Sequence, residues 1–370
     1  MKTGRLIVID STNTRSVAAL VVNGRIEDLL VDHPDPTIPV PGAVFRAQVD
    51  RHLAGLGGFI LNLGQGQHGF LKSRVKLQPG HRLAVQVKTI PVHGKAAVVA
   101  TRIRIRAKYV VLEWGRRGIE FSERLTEDRT DLARLRDIAA SIPDLDLSST
   151  SVSFRARCQE ADPATVADEL ARESCEFNRI LENATRGNPG IRARAPAARE
   201  RAMTEWMIPA PERIIDERGS FDTLGIWDMI SRVLVPAVSF PKSPGAGERN
   251  GAGASMVIEP TQALIAVDVN TGDIFSRSPG LDANLLAIGE LPRQLRLRGL
   301  GGQVVIDLAP MAKRHRKRVE ETIASTFSDD PVKTTPVGWT PLGHFELHRK
   351  RERFPLDALA IEELMKDTCA

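Results

Sequence analysis

The chain is poor in aromatic side chains, which make up 5 % of its 370 residues and include a single tyrosine. It has three cysteines, Cys158, Cys175 and Cys369, an odd number with no Cys-x-x-Cys spacing. That argues against a disulfide framework and against a paired-thiolate zinc site, and the thiols read as those of a reducing compartment. No stretch approaches the roughly 18 consecutive apolar residues of a membrane span. Met1–Asp10 lacks the apolar run and small-residue cleavage site of a secretory leader. A soluble, cytoplasmic protein is expected. Internal repeats and long blocks of like charge are also missing. Pro241–Ser255 (PKSPGAGERNGAGAS) is glycine-rich but has no Gly-Lys-Ser or Gly-Lys-Thr, so a mobile loop is expected there rather than a phosphate loop.

What is present is ordinary in bulk: 42 % hydrophobic, 26 % charged, net charge +5. The mild positive excess permits a polyanionic partner without requiring one. Arg5–Asp10 (RLIVID) and Val17–Val22 flank polar turn residues and read as a hairpin. Pro34–Pro41 reads as a boundary. From Gly42 to about Trp114, short apolar runs alternate with glycines, which suggests a small antiparallel barrel. From about Thr126 the spacing turns helical, with Asp162-Pro163 opening a second helix as N-cap and first helical residue. Residues 184–202, rich in Arg, Ala and Pro, read as a loop. Strand and helix signals follow at Arg213–Asp216 and Leu224–Val233.

The chemistry concentrates between Met256 and Arg353. Ala263–Asn270 (ALIAVDVN) and Gln303–Leu308 (QVVIDL) read as buried strands, and Leu281–Arg298 between them has helical spacing. A strand–helix–strand unit of this kind puts Asp268 and Asp307 at the same ends of parallel neighbours, the edge where α/β sheets build sites. Two carboxylates a few ångströms apart call for a cation, and Mg²⁺ suits one or two carboxylates plus waters. Its waters supply a nucleophile, and the ion stabilises charge on a phosphodiester. Asn270 shares a strand face with Asp268 and is placed to orient a phosphate or a water. The alternative for each aspartate is a turn residue or helix cap.

Thr261–Thr271 (TQALIAVDVNT) and Arg293–Asp307 (RQLRLRGLGGQVVID) resemble the signature of the ribonuclease E/G family. Met311, Arg314, His315 and Val319-Glu320 continue the likeness, as does Phe345–Arg353 (FELHRKRER). The resemblance implies an α+β multidomain chain: a ribonuclease-H-like subdomain in two halves (1–35 and 186–245), an inserted OB-fold RNA-binding barrel (36–115), a 5′-end sensor subdomain (116–185) and a deoxyribonuclease-I-like catalytic subdomain (246–370). It implies an endoribonuclease of RNA processing or decay that cuts single-stranded RNA, with Asp268 and Asp307 holding Mg²⁺ and Asn270 positioning the attack. Phe59 and Phe70, in Phe59 and His68-Gly69-Phe70-Leu71, match the base-stacking aromatics of that barrel, and Lys95 falls near its basic position. Read from the residues alone, either phenylalanine equally suits a core. Arg155 in SFRAR (153–157) matches the arginine of the 5′-monophosphate pocket, where Ala156 replaces a threonine. Arg293, Arg296, Arg298, Lys313, Arg314 and His315 are candidates for RNA phosphates, the alternative for each being a solvated helix face.

The family's zinc link between protomers is absent here, and Cys369 stands alone. With the chain ending at Ala370, no zinc-linked dimer is expected, but a monomer or weak homo-oligomer. Asp273 brings a further negative charge close in sequence to Asn270, and Pro310 replaces a family aspartate. A catalytically inactive RNA-binding descendant is the competing reading, and an unrelated metal-dependent phosphatase a third, which leaves Phe59, Phe70 and the RQLRLR run unexplained.

Overall fold

The computed structural model describes residues 4–12, 15–91, 95–122, 125, 129–207, 209–240, 253–274 and 276–369. Most of the glycine-rich stretch read as a loop, 241–252, lies outside them. The chain forms two compact units, one from Met1–Pro34 and Pro211–Ala370, the other from Asp35–Ala210. No helix among the described residues is long and apolar enough to cross a membrane.

The first unit begins with β1 (Arg5–Ser11), β2 (Ser16–Val22) and β3 (Arg25–Val31), an antiparallel meander. Ile7, Val8 and Ile9 are all fully buried, which is why the run is continuously apolar rather than alternating.

In the second unit, β4 (Val44–Leu53), β5 (Gly58–Gly64), β6 (Gln67–Lys72), β7 (Arg82–Val87) and β8 (Ala97–Ala100) close a circuit, β4-β5-β6-β8-β7-β4. This is an OB-like barrel of five strands, in which β6 and β8 run parallel. Phe45, Val49, Phe59, Leu61, Leu63 and Val85 fill it. The glycine-punctuated region read as one barrel is divided. Beyond β8, β9 (Arg104–Arg106), β10 (Val110–Trp114) and β11 (Gly118–Phe121) leave it for a second sheet. Helix α1 (Arg129–Ala140), β12 (Thr150–Phe154) and helix α2 (Pro163–Thr185) complete that layer, with order β11-β12-β10-β9. Pro163 opens α2 as expected, but Asp162 makes no side-chain capping bond. Residues 184–202 are not a loop throughout. β13 (Gly190–Ala193) pairs with β4, and α3 (Ala198–Glu205) buries Ala198 and Ala202. Its start is secured by Glu200, whose carboxylate accepts from the Ala197 N–H at 3.0 Å. Alanine and arginine are good helix formers, so the segment needed only a surface to pack on.

Back in the first unit, β14 (Arg213–Asp216) joins β1 in parallel, giving the order β14-β1-β2-β3. The buried Asp10 carboxylate accepts from the N–H groups of Gly219 (3.1 Å) and Phe221 (3.2 Å). Those residues lead into α4 (Ser220–Thr223) and α5 (Ile226–Leu234), which bury Phe221, Ile226, Trp227 and Ile230 on this sheet.

A six-stranded sheet follows: β15 (Ala237–Ser239), β16 (Ser255–Pro260), β17 (Ile265–Asn270), then α6 (Pro279–Leu297), β18 (Gly302–Asp307), α7 (Arg316–Ser328), β19 (Thr334–Trp339) and β20 (Phe345–Arg349). Its order is β15-β16-β17-β18-β20-β19, and only β17 and β18 run parallel. The RGLGG turn between α6 and β18 is a packing requirement. A Cβ on Gly299, at φ +64°, would meet the Phe354 carbonyl oxygen at 1.8 Å. The last helix is α8 (Ala358–Cys369).

A buried ionic network ties β3 to the far end of the chain. Arg353 forks onto both carboxylate oxygens of Asp28 and also donates to the Leu29 carbonyl at 2.7 Å. Arg296 on α6 lies 3.8 Å from Asp28 and 2.7 Å from Asp330. Arg349, 1 % exposed, meets the other Asp330 oxygen at 3.1 Å. Burial works to raise the Asp28 pKa, but the charges and hydrogen bonds of Arg353 and the charge of Arg296 outweigh it and hold the carboxyl below its usual range.

Removing one partner strands the others in a dry site, so Arg349→Ala should lower unfolding stability by about 3–5 kcal/mol in urea titrations. A loss under about 1 kcal/mol, the worth of an exposed pair, would show the network to be solvated. Because the folded Asp28 pKa is depressed, its contribution is complete above the unfolded value and lost as pH falls through the folded one. Stability should therefore drop below about pH 4. In Asp28→Asn that part of the acid sensitivity should vanish from the urea midpoints.

Candidate functional site

Along β17 the side chains alternate. Ile265, Val267 and Val269 enter the core, while Asp268 and Asn270 are exposed on the opposite face. On β18, Val304 and Ile306 are buried and Asp307 is exposed. The parallel register pairs Asp268 directly with Asp307, so the two backbones lie about 4.8 Å apart and both carboxylates leave the same face at the C-terminal ends of their strands. The Asn270 amide donates to Asp268 Oδ2 at 2.8 Å, which fixes the rotamers of both.

Two carboxylates and an amide oxygen form a hard-oxygen donor set. Among the described residues no group of three or more His, Cys, Asp and Glu side chains is arranged to hold a metal. A cation bound here would fill its remaining positions with water or substrate oxygens, which fits Mg²⁺-like coordination. Asp273 is exposed three residues beyond the end of β17, and Pro310 lies three beyond Asp307.

Two neighbours escaped the reading of the sequence. His344 Nε2 stands 3.7 Å from Asp307 Oδ1. It sits in the turn between β19 and β20, where its N–H donates to Thr340 Oγ1 at 3.1 Å. Asn284, fully buried on α6, donates to the Ala309 carbonyl (3.0 Å) and accepts from the Ala309 N–H (2.8 Å). It thereby clamps the chain just after Asp307. Gly280 completes the clamp, since a Cβ there would lie 2.0 Å from the Pro310 carbonyl oxygen. For Asn284 the available signal was an asparagine on the apolar stripe of α6. A turn histidine carries none.

The clamped segment leads into a 3₁₀ turn, Lys313–His315, on which Lys313 and Arg314 are exposed and His315 is half-buried. These remain open to an anionic ligand. The other three basic candidates are corrected. Arg293, 8 % exposed, donates to the Ile26 carbonyl and to Glu290. Arg296 belongs to the buried network. Arg298 donates to the Val235 carbonyl and Gln294 Oε1, and burial without a carboxylate partner pushes its pKa down to about 10. All three guanidinium groups already serve the protein, so none is offered to phosphate.

In the inserted unit, Phe59 is also corrected. It is 4 % exposed and alternates inward with Leu61 and Leu63, so its ring face is not available to a base. Phe70 points the other way, half-buried on the outer face with its ring across Gly58, where a Cβ would meet it at 2.7 Å. Exposed Val98 is its register partner on β8, and Lys95 is exposed just before that strand. Arg155 donates to the carbonyls of Ala107 (2.6 Å) and Lys108 (3.3 Å). Burial first, then the like charges of Arg157 and Arg106, lowers its pKa to about 10. Cys158 is buried and its thiol is pushed up to about 12, so it is inert as a nucleophile.

A sequence profile described as the Ribonuclease E/G family matches residues 213–352, which include Asp268, Asn270 and Asp307. Ribonuclease G of Salmonella typhimurium (strain SL1344) is 23 % identical, over 96 % of this chain and 82 % of that protein. Ribonuclease G of Escherichia coli (strain K12) matches to the same extent. Ribonuclease E of Synechocystis sp. is 25 % identical, over 91 % of this chain and 55 % of that protein. With the barrel, the strand–helix–strand unit and its paired aspartates in place, the chain is similar to the ribonuclease E/G family, by its profile over residues 213–352 and by relatives that align with most of its length.

Proposed function

We propose that this protein is a divalent-metal-dependent endoribonuclease that cuts single-stranded RNA in RNA processing or decay. The observation that carries the reading is the in-register pair Asp268–Asp307, with Asn270 locked to Asp268. Asp268 and Asp307 hold the ion, Mg²⁺ by the hardness of the donor set. When bound, the ion lowers the pKa of a coordinated water and stabilises charge on the phosphate undergoing attack. Asn270 keeps Asp268 oriented and presents the rest of its amide to substrate or water. Lys313 and Arg314 hold backbone phosphates of the strand entering this face.

The finer anatomy follows the same reading. The sheet β14-β1-β2-β3 is the ribonuclease-H-like part, the layer of β9–β12 the sensor-like part, and β15–β20 the deoxyribonuclease-I-like catalytic part. On the barrel, Phe70 stacks a base and Lys95 meets a nearby phosphate. Each stacked base is worth about 1–3 kcal/mol with little sequence choice. Arg155 is the candidate for a 5′-phosphate contact in the sensor-like part.

The test is a 5′-labelled, A/U-rich single-stranded RNA incubated with the protein and Mg²⁺, or with EDTA. Internal cuts should appear with Mg²⁺ only. Asp268→Asn and Asp307→Asn should each slow cutting by at least about 100-fold, the scale of losing one preorganised charge contact. Cutting that survives EDTA, or survives in both variants, would sink the metal-pair reading. Wild-type protein that binds the RNA without cutting it would make the chain a binding descendant of the family.

The basic residues separate in a second measurement. Lys313→Ala and Arg314→Ala should each flatten the salt dependence of RNA affinity by about 0.7 in slope, one phosphate contact on a single strand. Arg296→Ala should instead lower the thermal midpoint and leave the slope of the folded protein unchanged. The opposite pattern would return Arg296 to the RNA surface.

A further inference from the structure

A cleft of about 470 Å³ opens on the inserted unit where β5 turns into β6. It lies within the size range of small-molecule sites and is large enough for one nucleoside. Gln48, Asn62, Gln65, His68, Arg82 and Asn188 line it.

The cleft is built rather than left over. Gly64 (φ +95°), Gln65 (φ +51°) and Gly66 (φ +75°) are all left-handed, and Gln65 and Asn23 are the non-glycine residues with positive φ among those described. A glutamine held there is strained, and such strain is retained where the surroundings impose it. A Cβ on Gly64 would meet the Pro189 carbonyl oxygen at 2.9 Å, so the turn is pressed against the facing wall. That wall is anchored too. Arg46 and Arg82 both donate to the Gly187 carbonyl, at 2.9 and 3.2 Å, and Arg192 donates to the Asn188 carbonyl.

The lining has unspent polar capacity. The side chains of Gln65, His68 and Asn188 have no protein hydrogen-bond partner among the described residues. Asn62 Oδ1 accepts from the Gly64 N–H at 2.8 Å, which leaves its amide NH₂ free to donate. Gln48 uses its amide nitrogen on the Gly80 carbonyl at 3.4 Å, which leaves its oxygen free to accept. Arg82 is the one permanent cation of the lining, and Asp50 is a carboxylate at its rim. A phosphate site would concentrate cations. Paired amide donors and acceptors instead suit the edge of a base, and an Asn or Gln amide matches adenine's adjacent amino donor and ring-nitrogen acceptor in two bonds.

The position fits the same reading. His68 and Phe70 are two residues apart on the outer face of β6, facing Asn62 and Ile60 of β5. Two residues of strand span about 6.7 Å.

We propose that this cleft is a base-reading subsite for adenine in single-stranded RNA, one nucleotide along from a base stacked on Phe70. The proposal rests on the barrel's being an RNA-binding surface. It gives the barrel a sequence preference that stacking alone does not supply.

The test uses the full chain in EDTA, with fluorescence anisotropy of short labelled oligoadenylate and oligouridylate. Gln65→Gly removes the side chain and relieves the left-handed strain, so a loss of binding in it does not come from unfolding. In Gln65→Gly and in Asn188→Ala, oligoadenylate affinity should fall about tenfold, the scale of one two-bond base contact. Oligouridylate affinity should stay within about twofold, as expected for a contact that reads only the base edge. Phe70→Ala should weaken both oligomers together. Equal losses for the two oligomers, or no loss for either, would overturn the subsite while Phe70→Ala still reports an RNA-binding barrel. If Phe70→Ala changes neither affinity, or neither oligomer binds, the RNA reading of the barrel fails and the subsite with it.

Discussion

Three guanidinium groups beside two carboxylates, those of Arg349 and Arg353 buried and that of Arg296 partly so, hold the first unit in its arrangement. Arg296, Arg349 and Arg353 converge on Asp28 and Asp330, and each charge is tolerated only because the others are there. Desolvation makes such a cluster a poor source of net stability, but it makes any other arrangement worse. A shifted register on β3 or a slipped α6 would leave an unpaired charge in a dry site. The network therefore selects one geometry. Because α6 is the crossover between β17 and β18, that geometry carries the paired aspartates with it.

The site itself is built from few parts. Parallel pairing sets the distance between Asp268 and Asp307, strand alternation sets the face, and Asn270 restricts one carboxylate. Asn284 and Gly280 then fix where the chain goes after Asp307, which decides where Lys313 and Arg314 are presented. Pro310 fits this scheme, since its carbonyl is the atom packed against Gly280. The basic residues divide into two roles. Those of α6 face inward and organise the fold, as Arg349 and Arg353 do, while Lys313 and Arg314 are exposed and open to a ligand.

Much of this was legible in the sequence. The apolar spacing of ALIAVDVN and QVVID, with helical spacing between, pointed to Asp268 and Asp307 at one edge, but their adjacency rests on the parallel register of the two strands. The inward turn of Arg293, Arg296 and Arg298 was not, because their acceptors lie on β3, β15's approach and the segment after α7, all distant in the chain. Phe59 was readable in principle. In FILNL the exposed Asn62 sets the parity, and it puts Phe59 inside with Leu61 and Leu63. His344 was not readable, since a turn residue carries no periodic signal. The helix α3 was hidden by proline and arginine around it, and the surface that buries Ala198 and Ala202 is not readable from its own segment.

The interleaving of the two units has a consequence for how the chain is made. β1 finds its parallel partner only in β14, and Asp28 meets Arg353 across 325 positions of sequence. A ribosome releases the whole inserted unit before either partner exists. Contacts of such long range form late and slowly. The barrel and its neighbouring sheet therefore mature first, while the opening hairpin waits as an exposed apolar edge. β14 follows the inserted unit directly, but Arg353 comes after even the last strand of the six-stranded sheet, so a chain cut short before it leaves Asp28 without its fork.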